Sequence, residues 1–148
     1  MSKKKNLTIK ETFALAVQNH QKNNLRVAEN LYKEVLKTNP NHADAHNNLG
    51  IVFEQLGQSQ KAMSYFKKAT EINPNYADAH YNLGNALHKI NKHQAAIISY
   101  EKVIQINPNY AAAHYNLGNV MSVLGEFKKA VSSYEKAINS KKNYSLAY

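Results

Sequence analysis

Residues 77–110, ADAHYNLGNALHKINKHQAAIISYEKVIQINPNY, are one of several near-copies of a 34-residue unit. Shifting the chain by 34 residues puts Leu49, Leu83 and Leu117 in one column and Gly50, Gly84 and Gly118 in the next. Ala28, Ala62, Ala96 and Ala130 share a third column, and Pro40, Pro74 and Pro108 a fourth. A period of this length marks a stack of supersecondary units, each burying its apolar side against its neighbours. Within the quoted stretch, Leu83, Leu87 and Ile90 lie on one helical face, and Ala96, Tyr100, Val103 and Ile104 on another. Each unit is therefore an αα-hairpin. Gly84 and Ala96 are small where its two helices cross, which leaves room for Tyr100.

Working outward, the units are 9–42, 43–76, 77–110 and 111–144, with 145–148 opening a fifth. Residues 1–8 read as a disordered basic leader ending on Thr8, and Thr8 with Glu11 forms a capping box. The first unit predicts helices from Ile9 to about Asn23 and from the cap Asn24 to before Pro40. The second predicts 43–56, a turn at Gly57, and 59–72 with Ser59 as cap. The third predicts 77–90 and 93–106 around Asn91, and the fourth 111–124 and 127–140 around Gly125. Lys142 stands where a proline would be, so the last helix end is less sharply specified.

Composition narrows the class. Residues are 43% hydrophobic, but no apolar run is long enough to span a membrane. The N-terminus has Lys3, Lys4 and Lys5 without a following apolar segment, so no secretory signal is read. The absence of cysteine removes disulfides and thiolate chemistry and fits a cytoplasmic protein. The net charge of +9 comes from dispersed lysines, which suits a solvated helical surface more than a basic tail.

The columns together resemble the tetratricopeptide repeat. In the third unit its signature places hold His80, Leu83, Gly84, Leu87, Ala96, Tyr100, Val103 and Pro108. The second unit has His46, Leu49, Gly50, Phe53, Ala62, Phe66, Ala69 and Pro74, and the fourth lacks only the proline. The first is the most divergent, with Ala16 in the glycine column and Asn19 in the bulky one. The resemblance implies an all-α fold, an α-solenoid of stacked antiparallel helix pairs forming a right-handed superhelix, whose first helices line a concave groove. It implies a scaffold that binds an extended peptide or a helix of a partner protein and does no chemistry itself. The Asn-Leu-Gly-Asn and Asn-Pro-Asn-Tyr-Ala phrasing is similar to repeats that precede O-linked N-acetylglucosamine transferase domains and to stand-alone bacterial repeat proteins. A substrate-recruiting segment of a larger glycosyltransferase- or sulfotransferase-like enzyme is therefore an alternative reading.

By the same resemblance, groove residues occupy the second, fifth, sixth, ninth and twelfth places of each first helix. The expected peptide-binding set is Asn48, Tyr81, Asn82, Asn85, His88, Tyr115, Asn116 and Asn119. Carboxamides carry donor and acceptor together, which suits pairing with peptide backbone. Tyrosines add flat apolar area with a polar tip. Asparagine at the sixth place also admits a structural role, bridging neighbouring helices. Family members that clamp a C-terminal carboxylate use Lys, Asn and Arg at places where this chain has Phe13, Val17, Asn48, Asp78 and Asn82. Only Asn48 fits, so that clamp is not expected.

Other constellations are discounted. His42 and His46 have metal-ligand spacing, but His46, His80 and His114 recur at the repeat period, as packing residues do. No phosphate loop, zinc-protease motif or nucleophile elbow occurs, so no catalytic residue, metal or cofactor is assigned. Nucleic acid is disfavoured because the groove places carry few lysines. Val131, Tyr134 and Ile138 face only a four-residue stub, so self-association through an uncapped terminal repeat is a further reading.

Overall fold

The computed structural model describes residues 6–146, with side chains through Asn143, in two compact units, residues 1–74 and 75–148. The first contains α1 (Ile9–Gln21), α2 (Leu25–Thr38), α3 (Ala43–Gln55) and α4 (Ser59–Ile72). The second contains α5 (Ala77–Lys89), α6 (His93–Ile106), α7 (Ala111–Val123) and α8 (Phe127–Leu146). Among the described residues there is no strand. Consecutive helices pair as hairpins, α1 with α2, α3 with α4, α5 with α6 and α7 with α8, and α2 packs on α3 and α6 on α7.

All four hairpins turn in the same way. Asn23, Gly57, Asn91 and Gly125 adopt left-handed backbone at φ 60, 73, 61 and 77°. The residue after each returns an N–H to a carbonyl five positions back, as Gln58 does to Phe53 at 2.8 Å and Lys92 to Leu87 at 2.9 Å. This closure satisfies carbonyls that the ending helix leaves unpaired, and only Gly and Asn enter it at low cost. Two expected boundaries are corrected by it. Helix α1 stops at Gln21, and Asn23 makes the turn instead of ending the helix. Ser59 is the first residue of α4, preceded by Gln58, which makes no side-chain cap bond. Asn24 does occupy a cap position, but its amide donates to Asn19 Oδ1 at 3.2 Å. At the start of α1, Thr8 and Glu11 form the expected box, with Thr8 N–H donating to Glu11 at 2.8 Å and Glu11 N–H to Thr8 at 3.2 Å.

The helix crossings explain the glycine column. A Cβ added at Gly50, Gly84 or Gly118 would come within 2.5, 2.7 or 2.6 Å of the rings of Phe66, Tyr100 and Tyr134. These rings lie directly on the partner backbone, so any side chain displaces them. In the second unit Ala96, Ile97, Tyr100, Leu117 and Val120 form one buried cluster, with Tyr81, Leu87, Ile104 and Met121 against it.

Histidines fasten the junctions between hairpins. His46 Nε2 donates to the Pro40 carbonyl at 2.8 Å, and His114 Nε2 to the Pro108 carbonyl at 2.8 Å. Burial pushes the His46 imidazole below its usual proton affinity, so it stays neutral. His42 caps α3, its Nδ1 accepting the Ala45 N–H at 3.2 Å. Helix α8 runs to Leu146, past the end expected at Ser140, since no proline interrupts it. Residues 145 and 146, expected to open a fifth unit, continue α8, while 147–148 and the first five leader residues lie outside the described residues. No helix among the described residues is long and apolar enough to cross a membrane.

Candidate functional site

In the second unit, α5 and α7 bring several of the expected groove residues into one hydrogen-bonded cluster. Asn116 Nδ2 donates to Asn85 Oδ1 at 2.8 Å and to the Tyr81 hydroxyl at 3.1 Å. Asn85 Oδ1 also accepts the Tyr100 hydroxyl at 2.7 Å. One repeat further on, Tyr134 donates its hydroxyl to Asn119 Oδ1 at 2.8 Å. Burial raises the Tyr100 phenol well above its ordinary range, which keeps the proton that this bond needs. Two tyrosines that the sequence places in the packing thus serve twice. Their rings fill the helix crossing, and their hydroxyls orient amides on the first helices.

The aromatic residues are layered beside these amides. Tyr81 lies 6.1 Å from the Tyr100 ring and 5.2 Å from the Tyr110 ring, and Tyr110 donates its hydroxyl to Asp78 Oδ1 at 2.7 Å. Burial first, and then the Asp78 carboxylate, hold the Tyr110 phenol protonated. Tyr115 is exposed, 5.7 Å from the Tyr134 ring. His88 pairs with His93 across the hairpin turn, Nδ1 to Nδ1 at 3.2 Å, and burial followed by its neighbour's charge lowers its proton affinity. Asn82 is half-buried on α5 and has interactions of its own.

Asn48 belongs to the first unit. There it lies at the Tyr32 hydroxyl, in a cleft of about 440 Å³ lined by Val17, His20, Gln21, Tyr32, Asn48 and Gln55. His20 bridges this cleft, with Nε2 2.9 Å from Gln55 Oε1 and Nδ1 3.4 Å from the Tyr32 hydroxyl. Donation from Nε2 to the glutamine carbonyl oxygen and acceptance of the phenol at Nδ1 would satisfy both contacts.

Gln55, Tyr110 and the hydroxyls of Tyr100 and Tyr134 are absent from the sequence-derived set. A signal for the hydroxyls exists within the chain. Where the first helix carries Asn85 or Asn119 at its ninth place, the second carries Tyr100 or Tyr134; where it carries Ile51, the second carries Phe66. The first hairpin departs from this, with Val17 at the ninth place and Tyr32 on the second helix, whose hydroxyl meets Asn48 and His20 Nδ1 instead. Among the described residues no group of three or more His, Cys, Asp or Glu is placed to hold a metal ion.

Comparisons with known proteins agree with this architecture. A family profile described as TPR repeat matches residues 19–57 and 84–122. Profiles described as tetratricopeptide repeat match residues 43–76, 65–98 and 111–144. No curated protein matches the chain. Among solved structures, one crystal structure of MamA is 35% identical, with 86% of this chain and 74% of that one covered and a TM-score of 0.81. A second MamA crystal structure is 33% identical over 90% of this chain and 73% of that one, at 0.84. YrrB, described as a TPR protein with an unusual peptide-binding site, is 24% identical over 95% of this chain and 72% of that one, at 0.80. The fold is an all-α helical repeat solenoid.

Proposed function

This chain belongs to the tetratricopeptide repeat family, and on that premise we propose that it is a cytoplasmic protein-interaction scaffold binding an extended peptide of a partner along its first helices. It acts by holding and positioning that partner. The observation carrying this reading is the pair of tyrosine-to-asparagine bonds, Tyr100 to Asn85 and Tyr134 to Asn119. With each Oδ1 committed to a phenol, the amide nitrogen is left as the donor end of the group, and peptide carbonyls are the matching acceptors. An amide already held in its working rotamer loses little further freedom when a ligand arrives. Within the second unit, Asn82 and the Asn116 carbonyl extend the amide set, while Tyr81 and Tyr115 offer ring faces and His88 a polar edge; in the first unit Asn48 is the corresponding amide.

YrrB, of similar fold, supports peptide binding as a use of such a scaffold. The test is to select binders to the wild-type chain from a displayed random-peptide library and measure one of them by calorimetry. Each amide bond contributes about 0.5–1.5 kcal/mol, so Asn85→Ala/Asn119→Ala is expected to weaken binding roughly tenfold. Unchanged affinity would leave the amides a purely structural role.

A further inference from the structure

The turn between α5 and α6 carries two imidazoles that meet nitrogen to nitrogen. His88 lies in the last turn of α5 and His93 is the first residue of α6, both half-buried. Their Nδ1 atoms are 3.2 Å apart and their ring centroids 5.2 Å, with the ring planes inclined by 53°. The turn backbone fixes both anchor points. Asn91 is left-handed at φ 61°, its N–H donates to the His88 carbonyl at 3.0 Å, and the Lys92 N–H donates to the Leu87 carbonyl at 2.9 Å. The shared fold does not require this pair. At the same two places the other hairpins carry His20 and Leu25, Glu54 and Ser59, and Ser122 and Phe127. Only the third has an imidazole on each side of its turn.

We propose that His88 and His93 chelate one divalent late transition-metal ion, of the class of Zn²⁺, Ni²⁺ and Cu²⁺, through their Nδ1 atoms, with water completing the coordination. The inference does not depend on peptide binding. Two imidazole nitrogens bound to one ion at about 2.0–2.1 Å and a tetrahedral angle stand roughly 3.3–3.4 Å apart. The observed 3.2 Å is already close to that bite. Aiming both lone pairs at the ion takes rotation about χ2, a broad torsion in histidine and therefore a cheap one. Without the ion, the Nδ1–H of one ring donates to Nδ1 of the other. With it, the donating ring carries its proton on Nε2 instead, so both rings bind neutral and no net proton is released. The donor set selects the ion. Imidazole nitrogen suits Zn, Ni and Cu, whereas Mg²⁺ and Ca²⁺ take oxygen ligands. Among the described residues no carboxylate or third imidazole joins the pair, and the sequence neighbours Lys89 and Lys92 add positive charge. A hard cation held by charge alone has nothing to hold it here.

The experiment titrates the untagged full chain with ZnCl₂ near neutral pH by calorimetry and follows the imidazole nitrogens by long-range ¹H–¹⁵N NMR. Saturable uptake of one Zn²⁺ per chain is expected, with the Nδ1 resonances of His88 and His93 shifting together and no response to MgCl₂. His88→Gln and His93→Gln, each checked for native helicity by circular dichroism, are each expected to weaken binding by more than the roughly tenfold that losing even an outer-shell partner costs. His42→Asn lies in the other unit, keeps a cap acceptor for α3 and is expected to leave Zn²⁺ binding unchanged. The nitrogen shifts of the unaltered chain identify the ligands without recourse to any variant. No saturable binding, shifts confined to other histidines, or an equal response to Mg²⁺ would overturn the proposal. So would affinity retained in both glutamine variants.

Discussion

The hairpins α3–α4 and α5–α6 share a frame and differ in one polar pair. Both lay an aromatic ring on a glycine, Phe66 on Gly50 and Tyr100 on Gly84, and both turn through a left-handed residue. In α5–α6 the ring carries a hydroxyl, and the facing first-helix place carries Asn85 to receive it. In α3–α4 neither is present, and Ile51 stands at that place instead. The frame and the polar pair are therefore separable. Packing fixes where the first helix lies, and the hydroxyl–amide bond decides what chemistry its face offers.

The largest expected effect tests the shared frame. Gly84→Leu drives a branched side chain into a ring already as close as 2.7 Å to the added Cβ, and is expected to cost about 3 kcal/mol, the top of the usual range for overpacking. Gly50→Leu is expected to cost a similar amount by the same clash with Phe66, and chemical denaturation reads both. A large difference between the two would mean that the hairpins do not share one crossing.

The next effect separates the pair from the frame. Asn85→Ile strands the Tyr100 hydroxyl, buried without its acceptor, for about 1–3 kcal/mol. Tyr100→Phe alone is expected to cost about 0.5–1.5 kcal/mol. The double variant copies the Ile51/Phe66 arrangement and is expected to cost clearly less than the sum, which a double-mutant cycle measures. Strict additivity would show that the two residues are not one unit.

The smallest effect is pH dependence, and it has a definite sign. His46 in one unit and His88 in the other both hold their protons less tightly when folded than when unfolded, burial being the main cause. The unfolded chain then binds more protons, so their contribution is fully present above the unfolded value of about 6.5 and is lost as pH falls through the folded value. Melting temperature is expected to fall between pH 7.5 and 5, and His46→Gln/His88→Gln to flatten that slope. A rise on acidification would contradict the lowered proton affinity of these two imidazoles.

Much of the frame is legible in the sequence because it repeats: thirty-four-residue columns expose any residue that packing demands in unit after unit. Leu83, Gly84, Ala96 and Pro108 are readable on that ground. The helix end beyond Ser140 is not, since Lys142 removes the only strong stop signal and nothing local replaces it. Asn23 reads as helical because a left-handed asparagine looks like any polar residue until the hairpin closes around it. At the candidate site, sorting residues by place gives each one a single job. Tyr100 and Tyr134 have two, a packed ring and a hydroxyl reaching the opposite helix, and the first hairpin, with Tyr32 over Val17, blurs the pairing of tyrosine with ninth-place asparagine. Gln55 escapes for a related reason: its partner His20 lies in the preceding hairpin.

The most direct measurement follows the side-chain amide resonances of Asn85 and Asn119 while a library-selected peptide is added to ¹⁵N-labelled protein. Both NH₂ pairs are expected to shift with the same saturation as the backbone of α5 and α7, and Tyr134→Phe to diminish the Asn119 response. Tight peptide binding with both NH₂ pairs unmoved would contradict the claim that tyrosine-oriented amides on the first helices form the binding surface.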